Sequence, residues 1–221
     1  ASAFAAPEIT SIPDDKLKNF YKDEPDLETY RHYLESVSRQ KPHVLSHAEE
    51  AILAKIGSFS NAAEDIFSMI NDADIVFPNI KDENGDNVSL TKGRYAKFME
   101  SKDRSVRKAA FDALYETYTK QKNTLAATYY SSVKKDAFMA DVRKYSSSLE
   151  AALDDDNIPL SVYENLISSV HKYLPLMHRY VDIRKKILGV DELHPYDLYA
   201  PLSESSDMKI TYQQAKDIIL K

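Results

Sequence analysis

PLSVYENLISSVHKYLPLMHRYVDIRKKILG, Pro159 to Gly189, is the stretch on which the fold turns. A proline is tolerated at the first position of a helix, where its missing N–H costs nothing, and a glycine just past the last turn is a common stop. Between them Ile167, Val170, Leu174, Met177, Val181 and Leu188 fall on one side of a 3.6-residue period. The spacing predicts a helix far longer than a small domain usually contains. Pro175 lies inside it and predicts a kink or break near residues 171–175, because it removes a backbone donor and crowds the preceding turn.

Working outward, the same period recurs on both sides. Ser11-Ile-Pro-Asp-Asp15 reads as a helix entrance, with acids at the positive end of the dipole. Pro25-Asp-Leu27 predicts another, with Leu27, Tyr30, Leu34 and Val37 on one face. Ser46-His-Ala-Glu49 fits a capping box, followed by Ala51, Ile52 and Ile56 at helical spacing. A short helix is expected over 60–70. Asp103 is expected to cap a long helix with the stripe Val106, Ala110, Ala113, Leu114 and Thr117, and a second stripe of Val133, Ala137, Phe138 and Ala140 follows with little to break it. Tyr145 to Ser148 reads as a turn, Leu149 to Leu153 as a short helix, and Asp154 to Asn157 as its solvated acidic end. His194 to Leu202 reads as a proline-bounded extended segment. Thr211-x-x-Gln214 opens a last helix, inside which the chain is expected to stop. The one β signal is Asn84-Gly85 between two short apolar runs, Ile75 to Ile80 and Asn87 to Leu90. The fold class expected is mostly α: a multi-helical array with one small β-hairpin near residues 75–90.

Composition narrows the function. The chain has 221 residues, with 29 basic and 35 acidic side chains, so its formal net charge is 29 − 35 = −6. That balance and the lack of a basic block argue against nucleic acid as a partner. No apolar run approaches the roughly 20 residues that span a bilayer, so no membrane role is expected. The absence of cysteine excludes disulfides, thiolate ligands and thiol catalysis, and permits a reducing compartment. With four glycines there is no phosphate-cradling loop. ASAFAAPEIT, residues 1–10, has neither a basic stretch nor an apolar core, so it does not read as a signal peptide, and the missing initiator methionine suggests processing or a piece of something longer.

Two histidine arrangements call for comparison with metal sites. His43 and His47 are four apart, as in the helical zinc motif H-E-x-x-H. If Ser46 caps the helix, however, His43 precedes it, the rings do not share a face, and Val44 stands where the catalytic glutamate belongs. Glu164, His171, His178 and Asp182 line one strip of the long helix. Seven-residue spacing separates side chains by about 10 Å along the axis, so only His178 and Asp182 could chelate together. The residues themselves therefore assign no catalytic and no metal-binding position.

The stretches DENGDNVSLT (82–91), KFMESKDRSVRKAAFDALYETY (97–118), KNTLAATYYSSVKKDAFMADVRKYSSSLEAALDDDNIP (122–159) and LHPYDLYAPL (193–202), with AFAAPEI and HVLSHAEEAILAKI upstream, resemble oligoendopeptidase F of the thimet-oligopeptidase-like zinc peptidases. The resemblance implies a mostly helical, two-lobed enzyme that closes over a channel and hydrolyses short peptides. It implies residues 1–72 as helices of an N-terminal lobe and 73–221 as the first part of the catalytic domain, ending before the zinc motif. Zinc then belongs to the longer parent. This segment would frame the channel, with the rest of the catalytic domain and short peptides as partners, in the cytoplasm, and would be inactive alone. Tyr196 to Tyr199 and residues near the hairpin are the expected peptide contacts. The alternatives are a non-catalytic helical peptide-binding module and, more weakly, a small hydrolase using His178 and Asp182.

Overall fold

The computed structural model describes residues 5–203 and 210–220, with side chains from residue 8. Residues 1–4, which include Phe4 of the AFAAPEI stretch, lie outside the described residues. The chain divides into two compact units.

The first unit comprises residues 1–74 and 122–172. Its helices are α1 (Ala5–Ser11), α2 (Asp14–Asp23), α3 (Arg31–Arg39), α4 (His47–Ile56) and α5 (Ala62–Ser68). After the polypeptide of the second unit come α8 (Lys122–Val142), α9 (Ser148–Asp154) and the start of α10 (Leu160–Leu188). The capping box predicted for α4 is formed: Ser46 Oγ accepts from the Glu49 N–H, and the Glu49 carboxylate accepts from the Ser46 N–H at 2.9 Å. Helix α5 is followed by a π-helical turn, Met69–Asp74, and packs on α8. The face predicted after Pro25 is only half realised. Residues Pro25–Tyr30 wind as a 3-10 helix, whose three-residue turn breaks the 3.6 spacing, so Tyr30 is 60% exposed while Val37 is buried.

The second unit comprises residues 75–121 and 173–221. Strands β1 (Asn79–Lys81) and β2 (Asn87–Ser89) pair antiparallel, Ile80 opposite Val88. Gly85 alone carries the positive φ of the turn, 83°. Asp82 Oδ1 accepts from the N–H groups of Asn84 and Asp86 and closes the loop from within. Helices α6 (Lys92–Met99) and α7 (Arg104–Lys120) pack together on this hairpin, with Leu90, Met99, Val106 and Ala110 at the centre of the core. The stripe predicted for α7 is the one buried. α11 (Tyr212–Ile219) opens with the predicted Thr211–Gln214 capping box and ends within the described residues, its cap Leu220 donating to Lys216.

Further expectations need correction. The helical run after Asp103 is two helices: the Gln121 N–H donates to Tyr118 in a tight turn that separates α7 from α8. On α8 the predicted stripe is turned outward. Val133, Ala137 and Phe138 are exposed, and of the predicted stripe only Ala140 is buried, together with Thr128. Of the kink or break predicted near Pro175, the break is absent: α10 runs from Leu160 to Leu188, since one lost N–H is a local deficit that the flanking turns carry. Its predicted apolar side, however, is uncovered. Ile167, Val170, Leu174 and Met177 are all exposed, while Val181 and Leu188 toward its end are half-buried.

Candidate functional site

The most organised polar site lies in the second unit, around Asp197. Asp103 sets it up. Its carboxylate accepts from the Ser105 N–H at 2.8 Å, which fixes the start of α7 and places Arg104 and Arg107 one turn apart on the same face. Both reach the segment after α10. Arg107 donates from Nη2 to Asp197 Oδ1 at 2.8 Å, from Nε to the Tyr196 carbonyl at 3.0 Å and from Nη1 to the Ser101 carbonyl at 2.8 Å. Arg104 donates from Nη2 to Asp197 Oδ2 at 2.9 Å and to the Glu192 carbonyl at 2.8 Å. From α10, Arg184 donates to the Asp197 carbonyl at 3.1 Å and the Ala200 carbonyl at 2.6 Å. The His194 N–H completes the set on Asp197 Oδ2 at 3.0 Å.

Asp197 is 0% exposed. Burial on its own would raise its pKa, but the hydrogen bonds from Arg104 and Arg107 and from the His194 backbone outweigh it and hold the carboxyl at about 2. The segment predicted as extended is instead a 3-10 turn, Pro195–Asp197, with Tyr196 buried. Three guanidinium groups clamp it to α7 and α10.

A second polar cluster joins the helices of the first unit. Arg39 pairs with Asp154 at 3.0 Å, so that acid is an internal tether, while Asp155, Asp156 and Asn157 are exposed at the end of α9 as expected. Arg143 pairs with Glu50 at 3.1 Å. The His43 Nδ1–H donates to the Arg143 carbonyl at 2.8 Å, and its ring stacks on Tyr145 at 3.6 Å. Burial and the hydrogen bond donated to Asp154 push the Tyr145 phenol up to about 12.

Neither histidine arrangement weighed above is brought together. His43 belongs to a 3-10 turn before the helix and His47 is exposed at the first position of α4, as the Ser46 cap requires. Glu164, His171, His178 and Asp182 are all exposed on α10. Among the described residues no three His, Asp or Glu side chains are grouped to hold a metal ion. The residues here do not fit a zinc centre, and no step of hydrolysis is assigned to one on this chain.

Sequence reading missed Asp197, although two signals point to it. Arg104 is a cation in the first turn of α7, at the positive end of the dipole, where it needs an anion. Asp197 is a lone acid between apolar residues in HPYDLYAP.

Helices joined by short turns, with one hairpin and an arginine-clamped turn, define the scaffold. A family model described as Peptidase family M3 matches residues 97–220, and one described as Oligopeptidase F matches residues 8–77. The chain belongs to peptidase family M3. It is 49% identical to Oligopeptidase PepF of Bacillus subtilis (strain 168), over 100% of this chain and 33% of that protein. Group B oligopeptidase PepB of Streptococcus agalactiae serotype III (strain NEM316) is 42% identical over 96% of this chain and 35% of its own. The crystal structure of oligoendopeptidase-F from Enterococcus faecium superposes with a TM-score of 0.84 at 45% identity, covering 92% of this chain and 39% of that one. The chain thus spans about a third of the length of the curated relatives it matches. No helix among the described residues is long and apolar enough to cross a membrane.

Proposed function

We propose that this chain is a portion of a zinc metalloendopeptidase that hydrolyses short peptides inside an enclosed channel, and that it supplies channel wall and not the metal site. The observation that carries this is α10. On a domain complete in itself, a 29-residue helix would bury one face. Here Leu166, Ile167, Val170, Leu174 and Met177 are all exposed, as expected of a helix that packs on polypeptide of the remaining two thirds. Family membership supports peptide hydrolysis as the parent's activity. Zinc enters with the parent, whose ligands would lie outside these residues. The lobe boundary belongs to the same reading: residues 1–72 as N-terminal lobe and 73–221 as catalytic domain, supported by one family match ending at residue 77 and the next beginning at 97. A cytoplasmic location belongs to the same reading, and a chain without cysteine is compatible with it.

The test is cleavage of an internally quenched eight-residue peptide by this chain and by one extended to the length of its relatives. The longer chain should cleave, a zinc chelator should stop it, and the 221-residue chain should show no turnover. Turnover by the shorter chain, or none by a folded and zinc-loaded longer one, contradicts the proposal. A non-catalytic peptide-binding module is the second reading, favoured by the lack of a grouped metal-ligand set among the described residues. It predicts peptide binding without cleavage at either length.

A further inference from the structure

The hairpin turn of the second unit carries a chemistry that peptide hydrolysis does not use. Asn84 is followed by Gly85. The backbone nitrogen after an asparagine can attack its side-chain carbonyl carbon, and a side chain on that next residue is the chief obstacle. Here the obstacle is missing: a Cβ on Gly85 would itself meet nothing within 4 Å, so the peptide unit is free to rotate. Asn84 and Gly85 are both exposed, and the Asn84 carboxamide makes no hydrogen bond to another of the described residues. By contrast, Asn19, Asn79 and Asn165 precede Phe, Ile and Leu, and they sit in α2, β1 and α10.

Asp82 restrains the turn. Its carbonyl accepts from the Gly85 N–H at 3.0 Å, and its Oδ1 accepts from the Asn84 N–H at 2.9 Å and the Asp86 N–H at 3.0 Å. Its own N–H donates to the Asp86 carbonyl at 3.0 Å. The nitrogen that would attack is thus held on the Asp82 carbonyl until the turn opens. Opening disturbs little else. Strands β1 and β2 are three residues each, and the core residues Ile80 and Leu90 lie beyond the turn.

We propose that Asn84 is a site of spontaneous deamidation and isoaspartate formation, timed by opening of the turn that Asp82 braces. The Gly85 nitrogen bonds to Asn84 Cγ, the Cγ–Nδ2 bond breaks, and the amide group leaves with the Gly85 proton as ammonia. Water then opens the five-membered imide. Attack at Cγ restores the main chain with an aspartate side chain, and attack at the main-chain carbonyl leaves isoaspartate. Either product adds a carboxylate beside Asp82, Glu83 and Asp86. Isoaspartate also lengthens the main chain by a methylene, which breaks the spacing of the bonds to Asp82.

The test is incubation of the 221-residue chain at pH 8, with isoaspartate counted by an isoaspartyl methyltransferase and located by mass spectrometry of the tryptic peptide 82–92. A free peptide of residues 80–88 sets the unrestrained rate. The folded chain should convert at Asn84 about tenfold more slowly than the peptide, the effect of bonds that must open first, and urea should restore the peptide rate. Asp82→Ala should speed conversion in the folded chain about tenfold and leave the rate in the peptide unchanged, with circular dichroism reporting that the helices persist. The urea comparison stands without the variant should Asp82→Ala unfold. No conversion at Asn84 over several half-lives of the peptide, or conversion as fast at Asn165, overturns the site. Equal rates for the folded and urea-unfolded chain overturn the timing by Asp82.

Discussion

Asp197 shows how much one side chain can organise. It is fully buried and accepts from two guanidinium groups and a backbone N–H, so removing its charge strands Arg107, itself almost fully buried. Asp197→Asn should destabilise the chain by about 3 kcal/mol, as for other buried pairs broken from one side. Urea unfolding measures this; a loss within a few tenths of a kcal/mol would mean the pair is solvated. The pH dependence has a definite sign. The folded carboxyl sits at about 2 against an ordinary 3.8. Its contribution is therefore complete above pH 4 and is lost as pH falls from there through 2, in total about 2 kcal/mol. The Asn variant should lack that part of the acid slope. Asp197 was legible only faintly, as an isolated acid, because its charged partners Arg104 and Arg107 lie 93 and 90 residues away on α7. No local pattern reports such a convergence.

At the scale of the element, what was legible was what depends on neighbours in sequence. The caps of α4, α7 and α11 came out at Ser46, Asp103 and Thr211 because the cap bonds span only two or three residues. The buried stripe of α7 was read correctly because a single core lies on one side of it. On α8 the same reasoning failed. Its apolar residues are spread around the helix, so periodicity does not choose a face, and of the predicted stripe packing buried Ala140 alone, together with Thr128. The π turn at Met69–Asp74 and the 3-10 turn at Pro25–Tyr30 were likewise invisible, since both depart from the assumed 3.6 period. A direct check is Ser46→Ala. The hydroxyl satisfies the Glu49 N–H and the reciprocal bond depends on the same geometry, so the loss should be about 1 kcal/mol in thermal or urea unfolding. No change would mean the α4 start is held by the Arg143–Glu50 pair instead.

For the molecule as a whole, the exposed side of α10 governs behaviour in solution. Methyl-rich surface of this extent promotes self-association. Leu166→Glu combined with Val170→Lys places an opposite-charge pair four residues apart, in the orientation that favours a helix. The double variant should sediment as a smaller species than wild type with unchanged helical circular dichroism. Unfolding or heavier assembly would show that these positions are packed and not open. The central claim is that hydrolytic power lies in polypeptide beyond these residues, because no histidine among the described residues is grouped with two further His, Asp or Glu side chains. It is tested most directly by titrating this chain into a zinc-loaded chromogenic chelator of micromolar affinity at pH 7. The metal should stay on the chelator. Transfer of one equivalent to the chain, abolished by His43→Ala or by His178→Ala, would contradict the account.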